Sequence, residues 1–272
     1  MKRLLDLIGR ERDVDEVART LYTVADGFRA PVVGAMQVTC SDESERECID
    51  AFHSNVVEHL LPSLKFGTRS RFRIANLGAR YERGAVAIAE DHYSTGEAAG
   101  AFKLMIAKVN SHVCVESTSD GRRFGSMRRY DTESVYCGAL HALMDGSELP
   151  FAKELGELFR SGGKDRLGML LDAKRVEPAY RSLFAAVVNA RLQVECAVDD
   201  VRECSPRTPT FFLLLPCVTL NRKGKDTEIV CGVWQLDRRS SEPVDTYRGL
   251  GDDPSAYRLS IDRGQILLDE AP

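Results

Sequence analysis

Four side chains in this sequence are the best equipped for chemistry: His92, His112, Cys137 and His141. Cys137 and His141 stand four residues apart in a segment of helical spacing, which places both on one helix face. An imidazole beside a thiol can lower its pKa and generate a thiolate nucleophile, or the two can ligate a metal. His112 lies in a strand-like run two residues before Cys114, so those two side chains point the same way. His92 follows Glu90 and Asp91, two carboxylates next to an imidazole. The catalytic candidates are therefore His112, Cys137 and His141, and the metal candidates are His92, His112 and His141. Three such ligands suit a divalent metal such as zinc with one open position, and Glu82 or Glu90 could then act as general base. The competing reading is plain packing. Tyr136, Leu140 and Met144 lie on or near the Cys137 face, and the histidines can be unrelated, one solvated and two hydrogen-bonded in the interior. No HExxH or comparable spacing occurs.

Charge points to an anionic ligand. Residues 65–129 carry a net charge of +6 between flanks, 1–64 and 130–272, of −5 each. Within the basic block Arg71, Arg73, Arg128 and Arg129 are the expected binders of a small anionic molecule. The alternative is that these charges line strand faces whose partners lie in the acidic flanks. Ser161–Gly162–Gly163–Lys164 could present backbone N–H groups to phosphate or carboxylate at a helix start. The complete GxxxxGK[ST], GxSxG and GxGxxG patterns are absent, which removes support for a P-loop, a hydrolase elbow or a Rossmann site. Phe72, Phe102, Phe124 and Tyr130 near the arginines could stack bases. A pI near 5.8 and the missing RNP pattern argue against nucleic acid.

Several elements must position these residues. Residues 2–27 have helical periodicity, with Asp13 and Glu16 spaced to cap a second segment after a break near Gly9 or Arg12. Val32–Cys40 reads as a strand. A helix starting at Ser41 or Asp42 follows, with the stripe Ile49, Phe52, Val56, Leu60, Leu64. Ser70–Leu77 and Phe102–Glu116 read as strands, the latter turning at Ser119–Asp120–Gly121 into a return over Arg122–Arg129. Thr132–Met144 reads as a helix, with shorter helices at 151–159 and 164–171. A long helix from Pro178 to about Glu203 carries the stripe Leu183, Val187, Ala190, Val194, Val198, Val201. Thr210–Leu220 and Thr227–Leu236 form a hairpin in which Pro216 implies an edge or a bulge. Gln265–Leu268 is a last short strand.

With 272 residues, 43% hydrophobic and 29% charged, the chain can bury a core without metal or disulfide support. The expectation is one compact domain, 1–272, of α+β class, with mostly antiparallel, hairpin-connected strands packed against the long helix. Eight scattered cysteines without CxxC, and no signal-like h-region, lead to reduced thiols and a cytoplasmic location. No window has the length of a membrane span. The function expected is an enzyme acting on a small anionic substrate through a His/Cys site. The alternatives are a non-catalytic ligand-binding or assembly protein with structural histidines and, third, a nucleic-acid binder.

Overall fold

The computed structural model describes residues 1–42, 45–60, 72–93, 102–119, 121–129, 132–135, 137–160, 168, 179–204, 208–238, 244–249, 257–262 and 265–270. The chain opens with α1 (Lys2–Leu5), the short strand β1 (Glu11–Asp13) and α2 (Val14–Gly27). Asp13 caps α2 by accepting from the Asp15 amide at 2.9 Å, so the early helical periodicity is split as its capping residue implied. β2 (Val32–Cys40) leads to α3 (Arg46–Phe52), a π turn (His53–Val57) and α4 (Glu58–Leu60). Then come β3 (Phe72–Asn76), a 3₁₀ turn (Leu77–Ala79), α5 (Ala85–His92), β4 (Lys103–Thr118), β5 (Gly121–Phe124), β6 (Ser126–Arg129) and β7 (Thr132–Val135). The C-terminal half contributes α6 (Gly138–Met144), α7 (Pro150–Arg160), α8 (Arg181–Glu203), β8 (Thr210–Asn221), β9 (Thr227–Val230), β10 (Gly232–Arg238), β11 (Val244–Gly249), β12 (Tyr257–Asp262) and β13 (Gln265–Glu270).

The α+β class holds, with a correction to the sheet. Nine strands form one mixed sheet along the order β1-β9-β8-β4-β2-β3, with β10 beside β8, β11 beside β10 and β5 on β4. Its centre is parallel: β2 with β3, β2 with β4 and β4 with β8. Antiparallel pairing is confined to its periphery and to two separate hairpins. Helices α3 to α5 and α6 to α8 supply the crossovers that parallel neighbours require, which hairpin signals in the sequence do not report. An alternation of buried and exposed positions is absent from most of β4 because both of its faces are covered: Lys103 through Val115 are all buried. Pro216 lies in the interior of the sheet, and the break between β9 and β10 at Cys231, whose amide donates to the Pro216 carbonyl at 2.8 Å, is the bulge it implied.

Strand alternation sorts the two faces. Val113 and Val115 of β4, with Val218 and Leu220 of β8, pack on Leu183, Ala186, Val187 and Ala190 of α8. Every residue of the expected α8 stripe is buried. The opposite face of β4 carries Lys108, Asn110 and His112, roofed by α3. Thr132–Val135 is a strand rather than the start of a helix, so α6 begins only at Gly138 with Cys137 as its N-cap residue.

Candidate metal centre

Three segments end near one another at the C-terminal side of the parallel strands, where open α/β sheets form their crevices. β2 ends on Cys40, β4 passes through with His112, and the cap of α6 supplies Cys137. All three are buried, and their ligand atoms lie within 4.8 Å of one another. The two sulfurs are 3.9 Å apart.

The electrostatics of the cluster are those of one shared thiolate. Cys40 is pulled down to about 4, first by the hydrogen bond from Cys137, against desolvation, and then by the bond and positive charge of His112. Cys137, the donor in that bond and itself buried, moves well above the ordinary thiol range. Burial disfavours a charged His112, yet the hydrogen bond to Cys40 and the negative charges of Glu45, Cys40 and Asp42 raise it to about 9. His112 Nδ1 lies 3.1 Å from Asn221 Oδ1. Asn221 Nδ2 is committed to Asp226 Oδ2 at 3.0 Å, so its oxygen must face the imidazole and accept from Nδ1–H. That keeps a proton on Nδ1, so loss of the second imidazolium proton would leave the Nε2 lone pair for a ligand, the arrangement usual for metal-bound histidine. Glu45, immediately before α3, is fully buried with no hydrogen-bond partner on either carboxyl oxygen among the described residues. Desolvation raises it to about 8, with His112 opposing. Its negative charge next to the cluster is therefore reduced near neutral pH.

Two sulfurs and one imidazole form the borderline-soft donor set that suits zinc, whereas magnesium and calcium require oxygen. The residues present fit a zinc ion with three protein ligands.

Of the residues singled out in the sequence, the structure brings His112 and Cys137 together and adds Cys40. It does not bring in His141, which stands half exposed on α6 with Nδ1 2.8 Å from Asp145, one turn beyond the Cys137 cap. Cys137 precedes the helix, so the four-residue spacing does not put the two on one face. His92 is exposed at the end of α5, its ring 6.5 Å from Phe72 and 5.1 Å from Tyr93. Glu90, offered as a general base, is buried in an ion pair with Lys103, and Glu82 binds Arg80. Arg73 is exposed on β3, Arg71 and the 161–164 turn lie outside the described residues, and Arg128 and Arg129 belong to β6. Cys40 and Asn221 were not anticipated. The signal available for Cys40 was its position as the last residue of a strand running into Ser41–Asp42, but only knowledge that the strand is parallel makes that end a site.

No family model and no curated protein sequence matches the chain. Solved structures do. PtLCIB4, described as a homolog of the limiting CO2-inducible protein LCIB, superposes with a TM-score of 0.62 at 14% identity, over 90% of this chain and 98% of its own. LCIB gives 0.52 at 13% identity, over 87% of this chain and 93% of its own. The chain shares the LCIB fold. A tetrameric beta-carbonic anhydrase of Sordaria macrospora reaches only 0.37 at 9% identity, over 73% of this chain and 83% of its own.

Proposed function

We propose that the chain is a zinc enzyme that interconverts CO2 and bicarbonate at a centre built from Cys40, His112 and Cys137. The observation that carries the reading is the convergence of those three buried ligand atoms within 4.8 Å. A zinc ion held there supplies a Lewis acid that acidifies water and polarises a small oxygen-bearing substrate near neutral pH. The protein's own residues prepare the place for it. Cys40 is already a thiolate, and Cys137 and His112 give up protons to accept a cation. Asn221, anchored by Asp226, holds the imidazole with Nε2 turned to ligation. Burial raises the Glu45 carboxyl to about 8, which reduces the negative charge it places beside the two sulfurs near neutral pH.

The substrate class is supported by the fold shared with a homolog of a protein described as limiting CO2-inducible. Arg71, Arg73, Arg128 and Arg129 are the arginines we propose for contact with the anion. Among the described residues no helix is long and apolar enough to cross a membrane, and none of the eight cysteines is in a disulfide. The test is elemental analysis of zinc-loaded protein together with stopped-flow CO2 hydration. About one zinc per chain and hydration well above the buffer rate are expected. Zinc without hydration would favour the binding or assembly reading; no zinc after loading would end the proposal.

A further inference from the structure

All three ligand-bearing segments meet one loop, Asn76–Glu82. Asn76 is in register with Cys40, and its carbonyl accepts from the Ser41 amide at 3.0 Å. Gly78 packs against Ala139, two residues after Cys137: a Cβ there would lie 3.3 Å from that of Ala139 and 3.1 Å from Leu155 Cδ2, and its φ of +81° is itself a glycine conformation. The third segment is reached through α8. Asn189, buried, donates one amide proton to the Gly78 carbonyl at 3.1 Å and another to Ser111 Oγ at 3.2 Å. Ser111 precedes His112 and faces the opposite side of β4. Asn189 Oδ1 accepts from Gln193 Nε2 at 3.2 Å, while Gln193 Oε1 accepts from the Tyr81 amide at 2.7 Å and fastens the far side of the loop.

We infer that Asn189 is a positioning residue for the metal centre, tying the strand behind His112 to the loop that seats Cys40 and Cys137. The inference rests on the reading of those three residues as ligands. One carboxamide uses both protons and its oxygen within the network, reaching the strand through the Ser111 hydroxyl and the far side of the loop through Gln193. Asn189 touches no ligand itself; it sets the spacing of the elements that carry them. Outer residues of this kind typically change metal affinity by about 10- to 100-fold when removed.

The experiment compares wild type, Asn189→Ala and Ser111→Ala, each shown to be folded in the metal-free state by its unfolding transition. Zinc affinity is read by competition with a chromogenic chelator, and ligand geometry by the thiolate-to-cobalt absorption of the cobalt-substituted proteins. Asn189→Ala is expected to bind zinc at least about 10-fold more weakly, with an altered cobalt spectrum. Ser111→Ala, which keeps the Gly78 bond, should fall between it and wild type. A merely structural role lowers the unfolding midpoint but leaves affinity and spectrum unchanged in the folded protein, and that result overturns the inference. If Asn189→Ala does not fold, an unchanged affinity and spectrum in Ser111→Ala overturns it equally. A wild type that binds no zinc or cobalt removes the centre itself, a failure distinct from a wild type that binds and variants that match it.

Discussion

Cys40 and Cys137 are identical side chains 3.9 Å apart, yet their thiols move in opposite directions, because one proton between two sulfurs and a neighbouring imidazole leave room for one thiolate. Cys40→Ser, Cys137→Ser and His112→Ala should each reduce bound zinc from about one per chain to near zero at micromolar free metal, measured after gel filtration, since a site short of one of three ligands binds far more weakly. Asn221→Leu keeps the ligands but frees the imidazole; it should cost about 10- to 100-fold in zinc affinity. Glu45 makes a pH prediction. Its folded pKa is raised from 4.5 to about 8, so the stability it contributes is present below pH 4.5 and is lost as pH rises through 8. Metal-free wild type should therefore lose stability relative to Glu45→Gln between pH 4.5 and 8, on the order of 4 kcal/mol in urea unfolding. A constant difference between the two proteins over that range would show that the carboxyl is not held neutral.

At the scale of elements, β4 explains where much of the basic block goes. Lys108, fully buried, pairs with Glu228 at 2.7 Å and lies 3.3 Å from Cys48 of α3; Glu228 also accepts from Asn110. Lys103 pairs with Glu90, Arg122 with Glu11, Arg83 with Glu203, and Arg80 with Glu82 and Glu154. Lys108→Met should destabilise by about 3–5 kcal/mol because Glu228 is left as a buried charge, and adding Glu228→Leu should recover part of that loss. Equal losses in the single and double variants would mean that the lysine acts through its alkyl chain. On the other face, Val187→Asp puts a carboxylate among Val113, Val218 and Leu220 and should cost about 3 kcal/mol or more.

For the molecule as a whole, the three candidate ligands come from positions 40, 112 and 137, on segments that adjoin only when the parallel centre is formed. Metal bound there, as proposed, would stabilise the folded state and not the unfolded one. Free zinc at about 1,000 times its Kd should add roughly 4 kcal/mol and raise the melting temperature by several degrees, and excess chelator should reverse it. A melting temperature insensitive to both would separate the metal from the fold.

By itself the sequence determined the α+β class, α8 and its buried stripe, the cap at Asp13 and the β8–β9 hairpin, and narrowed Pro216 to an edge or a bulge, because each depends on local spacing, capping or the missing donor of proline. It also marked His112 and Cys137 as chemically apt. Whether strands run parallel depends on crossovers tens of residues long, which leave no local trace, and this is why the centre of the sheet and the value of Cys40 at its end emerged only in three dimensions. The helix boundary that separates Cys137 from His141 was settled by β7 pairing with β6, a tertiary choice that overrode the helical spacing of 132–144. The basic block shows the same limit: a count of arginines and lysines carries no record of partners as distant as Glu11, Glu203 and Glu228, and only folding placed those carboxylates within reach.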